Sequence, residues 1–254
     1  MMMKILTLFL LLPFIAFSQD WQVLMQEAVK AETAMNDELA FEKYQQVVKL
    51  QPASIVALCR SSELASKIGH RHKRKEIQAR HYEIARAFAA RALKLDPNSA
   101  EANFVMSVAM GRLALVSSGK DMISYVKDIK TFADRAVQLA PNDFRGYHVL
   151  GKWYYEISHL GIFKRTAVKV FYGEFPEASY SDAINAYEKS RQLNPAFNLN
   201  YLELAKVYNQ VGQKGKAISL LQTLNNLPVK IQDDIRVKQE GRRLQETISQ
   251  KLNS

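Results

Sequence analysis

Two stretches decide the fold: Tyr147-His-Val-Leu150-Gly151-Lys-Trp-Tyr154, and Ala183-Ile-Asn-Ala-Tyr187-Glu-Lys-Ser190-Arg-Gln-Leu-Asn-Pro195. In the first, large residues recur at helical intervals around a glycine, which puts them on one face with a small residue among them. In the second, an alanine is followed four positions on by an aromatic, then by a small residue and a proline, which cannot continue a helical hydrogen-bond ladder. Both patterns recur. Tyr201, Leu204, Ala205 and Tyr208 repeat the first, with Ala217 and Leu221 following in a second helix. Ala40, Tyr44, Val47 and Pro52 repeat the second; Ala85, Ala89, Ala92 and Pro97 keep its spacing without the aromatic; Ala133, Ala136 and Pro141 give a partial copy.

Paired helices with these two signatures are the tetratricopeptide (TPR) pattern. The closing prolines stand 45, 44 and 54 residues apart, longer than the roughly 34 of a standard TPR and near the roughly 40–47 of a HEAT array. The Leu-Gly-x2-Tyr and Ala-x3-Tyr spacings favour the TPR reading, with lengthened helices or inserts. Only 10 glycines and 7 prolines occur in 254 residues, too few for the turns of a loop-rich β fold. The expected fold is all-α: a TPR-like right-handed helical solenoid of about four to five helix pairs with a C-terminal capping helix. Asn98 before Glu101 and Ser179 before Asp182 have cap-plus-acid spacing, and Gly119 and Gly173 mark turns. Val237, Gly241, Leu244, Ile248 and Leu252 form the stripe of the last helix, whose Lys238, Arg242 and Arg243 can stay in water. That helix is read as the cap of the array.

The chain opens with Lys4, an apolar run from Ile5 to Ile15, and Ala16-Phe17-Ser18 before Gln19-Asp20, the layout of a secretory signal peptide. Residues 1–18 are therefore expected to be a signal peptide cleaved near Ser18/Gln19, and 19–254 a single repeat domain, periplasmic or secreted. Cys59 has no second cysteine to pair with and is read as a small buried hydrophobe. Lys and Arg number 35 against 25 Asp and Glu, a net charge of +10 at pH 7, which favours anionic partners. Export argues against nucleic acid among them. An acidic protein or peptide, or an anionic lipid, remains.

From Asp128 onward the order of motifs resembles the regulator of microtubule dynamics family. The resemblance rests on Leu150-Gly151-Lys152-Trp153, on Pro176-Glu177-Ala178-Ser179-Tyr180 after a basic amphipathic insert, and on Ala186-Tyr187-Glu188-Lys189. It extends over roughly Ala57 to Leu227. It implies a TPR-like helical fold without a known catalytic centre; eukaryotic members associate with microtubules or organelle membranes. A bacterial-type exported homologue would meet no tubulin, so fold and non-enzymatic character are what the resemblance carries over.

Motifs of catalysis are not apparent. Gly119-Lys120 is followed by Asp121, where a phosphate-binding loop requires Ser or Thr. His70 and His72 stand at i and i+2, on different sides of a helix, amid cations that repel a metal. No cofactor, metal or catalytic residue is expected. The function expected instead is a scaffold binding a protein or peptide along a basic concave groove lined by first helices: Arg145, His148, Lys152 and Tyr155 from one repeat, Leu202, Lys206, Asn209 and Gln210 from the next. A second candidate surface is the insert, where Ile162, Phe163, Lys164, Arg165 and Phe171 mix apolar and basic side chains. Such a mixture suits an amphiphile or membrane surface, although core packing between repeats is the leading explanation.

Overall fold

The computed structural model describes residues 12–160 and 177–253, which form eleven helices and no strand. They are α1 (Leu12–Thr33), α2 (Asp37–Leu50), α3 (Ile55–Arg71), α4 (Lys75–Leu95), α5 (Ala100–Val116), α6 (Gly119–Leu139), α7 (Phe144–His159), α8 (Tyr180–Leu193), α9 (Asn198–Gln210), α10 (Lys214–Asn226) and α11 (Asp234–Asn253). The chain divides into two compact units, Met1–Ala109 and Met110–Ser254, with the boundary inside α5. In the first unit α1 packs on α2, α2 on α3 and α3 on α4; in the second α6 packs on α7, and each helix from α7 to α10 on its successor. Most of the expected signal peptide and the whole insert from Ile162 to Phe171, with Gly173, lie outside the described residues.

The prolines do what their spacing predicts. Four second helices end in Leu-x-Pro: α2 at Leu50, α4 at Leu95, α6 at Leu139 and α8 at Leu193, each two residues before its proline. The residue between donates its N–H to the carbonyl four back, as Gln51 does to Val47, Asp96 to Ala92, Ala140 to Ala136 and Asn194 to Ser190. Its own carbonyl then accepts from the residue three on, at Ser54, Ser99, Asp143 and Phe197. One turn geometry is thus used four times. The leading aromatic of the next first helix locks it from outside, with Tyr147 Oη donating to the Pro141 carbonyl at 3.2 Å and Tyr201 Oη to that of Pro195 at 2.9 Å.

Helix starts follow capping chemistry. Ser179 and Asp182 form a full capping box on α8, as expected. On α5 the cap is one residue later than the sequence suggests: Ser99 Oγ, not Asn98, accepts from Ala102 N–H at 3.2 Å. The α11 stripe is buried through Val237, Gly241 and Ile248, with Leu244 half-buried, but Leu252 is exposed. Cys59 is buried, as expected.

The signature alanines and aromatics form the core. Ala183, Tyr187, Leu204, Ala205, Ala217 and Leu221 are all fully buried in the second unit, as are Ala40, Val47, Ala85, Ala89 and Ala92 in the first. Small residues set how closely the helices approach. A Cβ at Gly151 would lie 2.7 Å from the Tyr187 ring, and one at Gly69 2.7 Å from His81 Cβ and 2.9 Å from the Tyr82 ring. Glycine in a helix costs about 1 kcal/mol relative to alanine, so it is kept where a methyl group does not fit. Gly69→Ala is therefore expected to destabilise the protein by about 1–3 kcal/mol through overpacking. Gly215→Ala in α10, where nothing lies within 4 Å of the added Cβ, is expected to stabilise by about 0.5–1 kcal/mol. Urea denaturation followed by circular dichroism compares the two.

Candidate functional site

First helices carry the charged side chains that packing leaves over, and in both units these form ordered arrays. In the second unit Glu203 of α9 sits at the centre. Lys152 of α7 reaches its Oε2 at 2.8 Å and Lys206 its Oε1 at 2.7 Å. Lys152 also bonds Glu156 at 2.9 Å, and Lys206 bonds Glu240 of α11 at 2.7 Å. The result is an alternating line, Glu156–Lys152–Glu203–Lys206–Glu240, across three helices. The first unit has its own version: Arg60 of α3 is held by Glu32 of α1 and by Glu63, and Glu63 also takes Lys67 at 2.7 Å.

Burial sets the electrostatics. The Glu203 side chain is only 9% exposed. Burial pushes its carboxyl up, but Lys152 and Lys206 outweigh that and bring it down to about 2. Burial likewise opposes the charged form of both lysines, yet Glu203, with Glu156 or Glu240, holds each ammonium above its ordinary pKa. In the first unit burial, then Glu32, pushes Tyr44 up to about 12.

The expected groove residues divide. Lys152 and Lys206 are brought together through the carboxylate of Glu203, which is not among the expected groove residues. Tyr155 lies beside them, its ring 5.7 Å from Lys152 Nζ and stacked on His159. Asn209 and Gln210 stand one helical turn beyond Lys206, half-buried and exposed. Three others are engaged within the fold. Leu202 is fully buried in the core, because α9 is enclosed by α7, α8, α10 and α11 and keeps little free face. His148 is a packing residue: its Nδ1 is 2.9 Å from Asn200 Oδ1 and its ring lies against Tyr187 and Phe197. Burial lowers its pKa, favouring the neutral imidazole. Arg145 folds back onto Asp143, the α7 N-cap, at 2.6 Å.

The face is therefore not simply basic. Its two lysines are matched by three carboxylates, and the outermost groups are Glu156, with 55% of its side chain exposed, and Glu240, with 43%. Glu203 had a sequence signal, an acid inside the otherwise apolar Tyr201-Leu-Glu-Leu-Ala205, since a charge in such a run is buried only when paired. Glu240 had none, because α11 packs on α9 as well as α10, which its stripe does not reveal. Among the described residues no cluster of His, Cys, Asp or Glu could hold a metal ion, and no helix is long and apolar enough to cross a membrane.

The family model described as regulator of microtubule dynamics protein 1-3 matches residues 24–249. The chain belongs to this family. Regulator of microtubule dynamics protein 3 of Rattus norvegicus is 32% identical over 143 residues, 55% of this chain and 30% of the rat protein. Regulator of microtubule dynamics protein 1 of Bos taurus is 26% identical over 165 residues, 65% of this chain and 52% of the bovine protein. The chain thus spans about a third to a half of the curated relatives it matches. A thermophilic TPR protein of Thermus thermophilus superposes with a TM-score of 0.66 at 12% identity, covering 88% of this chain and 97% of its own. PilF of Pseudomonas aeruginosa gives 0.55 at 14%, covering 93% and 92%. These likenesses establish the helical-repeat fold for this family member.

The Glu203 linkage carries a pH signature. A carboxyl depressed in the folded state contributes stability that is whole above its unfolded pKa and lost as pH falls through its folded one. That window runs from about 4.5, the ordinary value, down to about 2. Glu203→Gln is expected to cost about 2 kcal/mol at pH 7, since it leaves the paired lysines uncompensated. It should also flatten the loss of stability between pH 7 and pH 3, read from urea midpoints at the two pH values.

Proposed function

We propose that the protein is a non-enzymatic interaction scaffold, and that the Glu156–Lys152–Glu203–Lys206–Glu240 line, with Tyr155 beside it, receives a segment of a protein partner. The observation that supports this is the buried carboxylate at the centre of the line. A buried ion pair gives little net stability compared with apolar packing of the same volume, so stability alone does not account for placing one here. Charges fixed in alternation across adjacent helices instead select a partner by register and suppress mismatched ones. TPR-like folds bind protein partners, and repeat arrays use extended surfaces for the purpose. The proposal includes export, on the strength of the sequence before Gln19, which would place the partner outside the cytoplasm.

The rim is the part to alter, because Glu156 and Glu240 can be changed while the central Lys152–Glu203–Lys206 linkage stays intact. Proteins co-purifying with the wild type are compared by mass spectrometry with those bound to a Tyr155→Ala, Glu156→Lys, Glu240→Lys variant of unchanged melting temperature. Specific partners are expected to be lost from the variant. An identical partner set on the folded variant would remove this face from the binding surface.

A further inference from the structure

In the first unit, exposed cations gather with almost no carboxylate to balance them. Between α3 and α4 the chain reads His70-Arg71-His72-Lys73-Arg74-Lys75, with Arg80 and His81 one helical turn on and Glu76 the sole acid from 70 to 81. His72, Lys73, Arg74, Lys75 and Arg80 are all exposed. Glu76 reaches Arg74 only at 3.9 Å, with both side chains about three-quarters exposed, a geometry that holds neither firmly. Arg71 is different, since it turns to Asp37 of α2.

The patch is displayed on a fixed turn. Gln78 Nε2 donates to the His72 carbonyl at 2.7 Å, and the His72 ring stacks on His81 at 5.3 Å between centroids. Gly69 lets α4 close against α3 beneath it. The arrangement also works against local stability. Lys73, Arg74 and Lys75 crowd the positive end of the α4 dipole, where anions are favoured, and Arg74, like the residues before α6, α9 and α10, provides no side-chain cap. Residues that break a local rule without a structural gain mark a functional demand.

We infer that the α3–α4 turn is a docking site for an acidic segment of a partner protein, whose successive carboxylates meet Lys73, Arg74, Lys75 and Arg80. The cations lie along a turn and the first part of a helix, not around one point, so they suit several charges spaced along a chain better than a single compact anion. A lipid surface fits less well, because membrane-surface binding joins apolar to basic side chains. Among the described residues no large hydrophobic between Val56 and Leu95 is exposed. This surface belongs to the first unit, and the inference does not depend on the role of the Glu203 line.

The test uses the full chain and a fluorescein-labelled ten-residue polyglutamate peptide, titrated by anisotropy at about 50 mM and about 500 mM salt, which brackets strong and weak screening. Lys73→Glu, Arg74→Glu, Lys75→Glu is compared with Lys189→Glu, Arg242→Glu, Arg243→Glu, which changes net charge equally at exposed positions of the second unit. The turn variant is expected to keep or raise the melting temperature, since acids suit a helix start, and to weaken binding about tenfold or more at low salt. The control should weaken it less than about threefold, and wild-type binding should fall steeply at high salt. Equal losses in the two variants would reduce the effect to net charge and overturn the assignment. Absence of wild-type binding, or retention by phosphatidylserine vesicles without peptide binding, would overturn it as well.

Discussion

The contact of Gly151 with the buried Tyr187 ring is the constraint from which the second unit follows. A ring fully enclosed between α7 and α8 requires that one helix present no side chain at the point of approach, and a Cβ there would fall at 2.7 Å. Burying a side chain of this size contributes about 1.5–3 kcal/mol, more than the helix loses by carrying a glycine. The same solution appears at Gly241, whose Cβ would meet Leu224 at 2.7 Å, where α11 closes on α10. Close approach then fixes the rotation of each helix about its axis, and with it which residues are left facing outward.

Charge arrangement is a consequence of that rotation. With α7, α9 and α11 set by their apolar faces, Lys152, Glu203, Lys206 and Glu240 come within hydrogen-bonding distance as a row. Their alternation makes the burial of Glu203 tolerable, because two ammonium groups replace the water it gives up. The first unit reaches a similar outcome with Glu32, Arg60, Glu63 and Lys67. At the α3–α4 turn Glu76 is the one acid set among Lys73, Arg74, Lys75 and Arg80, so the net charge of +10 is distributed unevenly: neutralised on the first-helix faces, open at that turn.

Much of this fold could be read from local sequence, because its determinants are local. Leu-x-Pro ends four helices through bonds spanning three or four residues, and Ser179 with Asp182 starts another. The alanine and aromatic positions follow from a 3.6-residue period. The face was harder to read. Lys152 and Glu203 are 51 positions apart and meet only once packing has fixed both helices, and Glu240 joins them because α11 lies on α9. A first-helix residue also counts as exposed only if nothing packs over it. That condition fails for Leu202 because α9 is surrounded, whereas the pattern of α9 alone leaves Leu202 on the open side. His148 is polar and set between aromatic positions, a pattern that marks a surface group, and its ring lies against Tyr187 and Phe197.

A double-mutant cycle between Gly151→Ala and Tyr187→Ala tests the central constraint most directly, with unfolding free energies from urea denaturation. If the ring is what excludes a methyl group at position 151, Gly151→Ala costs about 2 kcal/mol in the wild type. Once the ring is gone, the same change should be neutral or stabilising by up to about 1 kcal/mol through helix propensity. Equal costs in both backgrounds would show that the glycine and the tyrosine are uncoupled and would contradict the account.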